Sequence, residues 1–207
     1  MRASSHIPDE LSPRARRGRP GHSLESLLAV AVDLFNERGF EATSMEELAG
    51  RLGLTKSAIY HHVPGKIDLL RLALDRALDG LFAVTTEPVA TTGPAIDRLE
   101  HVVRGSVRVL IAELPFVTQL LRVRGNSDVE RGALERRRQF DRVVRDLVRA
   151  AVAEGSVRAD VDPGVLGRLL FGTVNSLVEW YRPDGSLSAD DLADALVATV
   201  FDGLRTR

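Results

Sequence analysis

Apolar residues first fall into a helical rhythm at Leu27, Leu28, Val30, Ala31, Leu34 and Phe35, where i, i+3, i+4, i+7 spacing predicts an amphipathic helix. Ser23 stands where an N-cap belongs, and Gly39 where such a helix stops. Ser44, with Glu47 three residues later, has the sequence form of a capping box and opens a short helix over "MEELAGRLG" that ends at Gly53. A third helix is predicted over about 55–62, beginning near Thr55. Pro64 ends it, because proline disfavours helical geometry in the residue before it. From Lys66 a long apolar-periodic segment runs to about Val84, and "TTEPVATTGP" breaks it. Further helices are predicted near 94–112, 115–123, 127–154, 163–181 and 188–205. Their breaks are Pro115, "RGNSD", "EGSVRADVDP" and "RPDGS". No stretch carries the sustained Val/Ile/Thr alternation of strands. The expected fold is all-α, with about nine helices and no fixed repeat.

The second and third helices have the layout of a helix-turn-helix. Ala49 is small enough for close helix approach, Gly53 sits in the turn, and Leu48, Leu52 and Ile59 face inward. The outward residues Lys56, Ser57, Ala58, Tyr60 and His61 are types that reach base edges and phosphates. Net charge does not advertise such a partner, since 28 basic residues meet 29 acidic ones; charge has to be read locally. Locally, "RARRGRPG" places Arg14, Arg16, Arg17 and Arg19 within a segment too polar to bury a core. Two readings of it stay open: an inert solvated tail, or an arm whose Arg17 and Arg19 enter a minor groove.

Other chemistries are disfavoured. The chain has no cysteine, which removes disulfides and thiolate metal sites. Adjacent helical residues such as His61 and His62 point about 100° apart, whereas chelation on a helix wants i, i+4 spacing. No metal or cofactor is expected, and no nucleophile–base or carboxylate–histidine motif suggests an enzyme. No apolar run approaches the roughly 20 residues of a bilayer span, and no hydrophobic stretch precedes position 24. A cytoplasmic protein is expected, associated with the nucleoid when bound to DNA.

The whole stretch "LAVAVDLFNERGFEATSMEELAGRLGLTKSAIYHHVPGKIDLL" resembles the DNA-binding domain of TetR-family transcriptional repressors. It carries the "A-x-x-L-F-x-x-x-G-F-x-x-T-S" lead-in, the glycine turn and the "Y-x-H" before a lysine. Leu48 replaces the usual Ile, Val63 the usual Phe, and Pro64-Gly65 the usual Pro-Ser. The resemblance implies phosphate contacts from Tyr60, His62 and Lys66, with Thr43 and Ser44 as further ones, and base reading from Lys56, Ser57 and Ala58. Composition predicts a disordered Arg-rich arm over 1–22, and the resemblance implies a DNA-binding domain over 23–68 and a ligand-binding and dimerisation domain over 69–207.

The same resemblance implies a homodimer on a palindromic DNA operator, with the last two helices of each subunit forming a four-helix bundle. Leu169, Thr173, Ser176, Leu177, Leu192, Leu196 and Val200 are the expected interface residues. An apolar cavity walled by Phe82, Phe116, Leu120, Phe140, Phe171 and Trp180 would hold a small-molecule effector. Arginines concentrate around 122–149, and Arg122, Arg124 and Arg137 are the expected grip on a phosphorylated ligand. "LLRVRGN…ERRR" with "VNSLVEWYRPDGSLS" looks like a subgroup of these repressors that responds to acyl-CoA thioesters. Release by an antibiotic-type ligand, and a regulator without any effector, remain alternatives.

Overall fold

The computed structural model of the protein describes residues 23–204 as ten α-helices, with no strand among the described residues. The segment 1–22, and with it Arg17 and Arg19, lies outside the described residues. The first helix, α1 (Leu24–Arg38), starts where the Ser23 hydroxyl accepts a hydrogen bond from the Ser26 N–H. Its buried face is Leu27, Leu28, Ala31, Val32, Leu34 and Phe35.

Helix α2 (Met45–Leu52) is capped by the Ser44 hydroxyl, which accepts from the Glu47 N–H at 3.1 Å. The Glu47 carboxylate pairs with Arg38 at the end of α1, tying the two helices together. Gly53 closes α2 in the left-handed region, at φ +64°, where a side chain would be disfavoured. Helix α3 (Lys56–Tyr60) is capped by Thr55, whose hydroxyl accepts from the Ala58 N–H.

This third helix is shorter than its predicted span. The N–H groups of His62 and Val63 both turn onto the Ile59 carbonyl, which brings Val63 into the core ahead of Pro64.

The remaining elements are α4 (Lys66–Thr86), α5 (Pro88–Thr91), α6 (Ala95–Ala112), α7 (Leu114–Arg122), α8 (Asp128–Ala153), α9 (Pro163–Trp180) and α10 (Ala189–Leu204). The short α5 raises the number of helices from the expected nine to ten. It forms inside the predicted break because Pro88 starts a turn at a position where its missing N–H costs nothing.

Helix α4 is the spine, packed against α1, α6, α7 and α8. It crosses α6 closely through reciprocal glycine–valine contacts. A Cβ on Gly80 would stand 3.0 Å from Val109, and one on Gly105 would overlap Val84. Helix α8 packs on α9, and α10 lies along α6, held by Arg104–Asp194 and by Arg108–Asp190 at 2.7 Å. One continuous core runs from Leu27 to Leu204, and the boundary expected at 68 falls in the first turn of α4.

Candidate functional site

On the surface of the small N-terminal helices, buried Ile59 and Val63 anchor the edge that the sequence motif expects to read DNA. They leave Lys56, Ser57, His61 and His62 exposed, Tyr60 45% exposed, and Ala58 half-buried. Ser44 is exposed beside them at the start of α2. Lys56 does not stand free, because its ammonium pairs with Glu46 of α2, and that hydrogen bond raises its pKa above the ordinary lysine value. A base or phosphate must compete with Glu46 for it.

Two expected phosphate contacts have other work. Thr43 is buried, and its hydroxyl donates to the carbonyl of Gly39 at 2.9 Å, closing the end of α1. The Lys66 ammonium donates to the carbonyls of Phe40, Glu41 and Thr43 at 2.8, 3.1 and 3.0 Å, and lies 4.5 Å from the centre of the Phe40 ring. An ammonium has three N–H donors, and all three are used here on the loop before α2. Lys66 is a clamp on the loop that presents Ser44.

A second site lies between α8 and α9. Arg138, Arg142 and Arg145, spaced along one face of α8, line a cleft of about 280 Å³ with Arg168 of α9 and the carboxylate of Asp141. Arg138 and Arg142 share Glu135, at 3.2 and 3.0 Å. The buried Nε of Arg145 has no hydrogen-bond partner, and its nearest carboxylate oxygen, on Asp146, is 4.0 Å away. Gly164 and Gly167 keep the α9 side of the cleft low.

Asp141 and Phe171 also belong to an adjoining apolar chamber between α4, α6, α7, α8 and α9. Leu120, Phe140 and Arg137 line it. Desolvation holds the Arg137 guanidinium below its ordinary pKa, while Asp141 opposes that shift. Asp141 touches solvent along the cleft, yet protein crowds it enough that desolvation raises its carboxyl, against the pull of Arg137, Arg168 and Arg145. The chamber's free volume is about 40 Å³, so an organic occupant has to move its walls.

Two family models match the chain: the bacterial regulatory proteins of the tetR family over residues 27–73, and the tetracyclin repressor-like C-terminal domain over residues 92–204. The chain belongs to the TetR family. It is therefore a DNA-binding transcriptional regulator. The transcriptional repressor KstR2 of Rhodococcus jostii is 31% identical over 191 residues, which cover 90% of this chain and 93% of that protein. The crystal structure of SCO3833, a TetR-family member from Streptomyces coelicolor A3, is 52% identical with a TM-score of 0.82, covering 93% of this chain and 98% of that one. The structure of the ketosteroid transcriptional regulator KstR2 of Mycobacterium tuberculosis is 26% identical with a TM-score of 0.82, covering 90% and 98%.

In this TetR-family regulator several expected effector residues lie elsewhere. Phe116 is buried under the Arg76 guanidinium, 4.3 Å from its ring centre, and Phe82 stacks edge-on behind Phe140 at 5.9 Å. Arg122 and Arg124 lie at the junction of α7 with α1, away from the cleft. Trp180 is 51% exposed at the end of α9, so it is no cavity wall. The arginines that line the cleft are Arg138, Arg142, Arg145 and Arg168, not Arg122 or Arg124, and Arg168 does not stand out in the sequence. The i, i+4, i+7 spacing of Arg138, Arg142 and Arg145 was the available signal; nothing local marks Arg168.

The expected interface residues divide in the same way. Leu169 (63% exposed), Thr173 and Ser176 face outward, and Val200 is partly exposed. Leu177, Leu192 and Leu196 are corrected to core residues of the protomer, because α6, α7 and α8 cover the inner faces of these helices. Among the described residues there is no cluster of three or more metal-ligating side chains, and no helix long and apolar enough to cross a membrane.

Proposed function

We propose that the regulator is a homodimeric repressor whose operator binding is released by an acyl-CoA-type effector, with the arginine cleft and the apolar chamber as two halves of one effector site. The observation that carries this reading is their junction: Asp141 and Phe171 line both. A thioester would lay its phosphates among Arg138, Arg142, Arg145 and Arg168 and pass its acyl chain beside Phe171. Guanidinium groups match phosphate geometry, and the partnerless Nε of Arg145 supplies a donor that such a ligand would satisfy. The KstR2 relatives are regulators, and that of Mycobacterium tuberculosis is a ketosteroid transcriptional regulator, which agrees with a largely apolar effector.

Dimerisation draws support from α9. Val165, Leu169, Thr173, Ser176 and Trp180 form one uncovered stripe, with Gly172 open beside it and the exposed Ala195, Ala198 and Thr199 on α10. Small and apolar residues in one stripe suit a close helix–helix seam. Two protomers joined there carry two reading edges, as a palindromic operator requires. An effector that prefers a different spacing of those edges lowers operator affinity by linkage.

Calorimetric titration with octanoyl-CoA, against octanoate and free CoA as controls, tests the effector site. Octanoyl-CoA should bind, and Arg145→Ala with Arg168→Ala should weaken it by tenfold or more, on the order of one charge-assisted contact per arginine. Binding should also strengthen as pH falls through the raised pKa of Asp141, because protonation removes the one negative charge inside the cleft. Asp141→Asn should abolish that part of the pH dependence. Equal binding by the arginine variants would sink the reading.

A further inference from the structure

Helix α7 joins the apolar chamber to α1. Its middle, through Val117, Leu120 and Leu121, lines the apolar chamber, while both of its ends are fastened to a single residue of α1. That residue is Asn36. Its side-chain Nδ2 donates to the carbonyl of Pro115 at the start of α7, at 2.8 Å. Its backbone carbonyl accepts from the Arg122 guanidinium at the end of α7, at 2.7 Å.

The arrangement is costly. With Nδ2 committed to Pro115, the buried Oδ1 of Asn36 is left without a hydrogen-bond partner. A buried orphan acceptor normally costs free energy, so the amide's orientation is set by its grip on α7 and not by its own satisfaction. The C-terminal half of α7 is also tied to the chamber, because Arg137 donates to the Leu120 carbonyl at 3.3 Å. Beside the Asn36–Arg122 contact lies a gap of about 340 Å³, lined by Gln119, Arg122 and Phe40, which leaves the end of α7 room to move.

We infer that Asn36 is the positioning residue that passes occupancy of the chamber to the DNA-binding helices. An occupant larger than the chamber displaces α7. Through its two attachments to Asn36, α7 then shifts the last turn of α1. Three residues on, Gly39 and the 40–43 loop clamped by Lys66 lead directly to Ser44 and α2. The competing route is α4, which also lines the chamber, through Leu78 and Leu81, and begins at Lys66.

The inference rests on the chamber being the effector's seat, but its test needs neither effector nor operator. The chamber is filled from within by Asn175→Phe, with Asn175→Leu as the milder filler if the first variant does not fold. Each is made in the natural chain and in an Asn36→Ala/Arg122→Gln background, and backbone hydrogen exchange of residues 36–44 is followed by mass spectrometry. Circular dichroism confirms folding. Filling should speed exchange of 36–44 by about tenfold in the natural background and by less than about twofold in the detached one, each relative to its own unfilled parent. Unchanged exchange on filling the natural chain overturns the inference. An equal rise in both backgrounds also overturns it and assigns the signal to α4. Failure of any acyl-CoA to bind would leave this result intact, so the two readings fail separately.

Discussion

Lys66 shows how one side chain can satisfy a sequence motif and yet do different work. A lysine just after a proline, at the first turn of a helix, reads as a phosphate ligand because free N–H groups there favour anions. Its actual partners are three carbonyls lying 23 to 26 residues earlier, gathered by the turn from Phe40 to Thr43. Caps such as Ser23 and Ser44 were legible because donor and acceptor lie within three residues; a clamp across a loop is not. Lys66→Met keeps the aliphatic stem but removes the donors. It should cost about 1.5–3 kcal/mol, the range for hydrogen bonds to a charged group. Operator affinity should fall with the loop's order while the salt slope stays constant, whereas loss of a phosphate contact would lower that slope by about one unit. Urea midpoints and binding isotherms at three salt concentrations separate the two roles.

At the scale of elements, periodicity located every long helix, and capping residues fixed most ends within a residue or two. What periodicity could not decide was which apolar stripe turns inward. Helix α9 is apolar on two sides, so Leu169 and Leu177 look equivalent in sequence; only its packing against α6, α7 and α8 covers one and leaves the other bare. Close approach is equally hidden, since a glycine within a helix reads as a weakness until its neighbour is known. Gly105→Ala tests this directly. Alanine gains about 1 kcal/mol of helix preference over glycine. It also drives its methyl into Val84, whose branched side chain has little freedom to yield. A net loss of about 1–2 kcal/mol is expected from overpacking, lowering the thermal midpoint by several degrees. A higher midpoint would show that α4 and α6 part without cost.

For the whole molecule, the all-α fold class and the helix-turn-helix were visible because they depend on local spacing. The proposed effector site was half legible: Phe140 and Phe171 stand out in the sequence, while Arg138, Arg142, Arg145 and Arg168 meet from two helices only through tertiary packing. Trp180 marks the same limit. As the sole tryptophan it invited a place in the cavity, yet it stands at the far end of the bare stripe of α9. In the proposed dimer Trp180 is an optical gauge of assembly, set at the seam and not at the effector. Diluting the regulator should move its emission to the red as water reaches the indole, and saturating the chamber at fixed subunit concentration should leave the spectrum in place. Emission independent of concentration, while sedimentation shows the oligomer separating, would put the seam elsewhere.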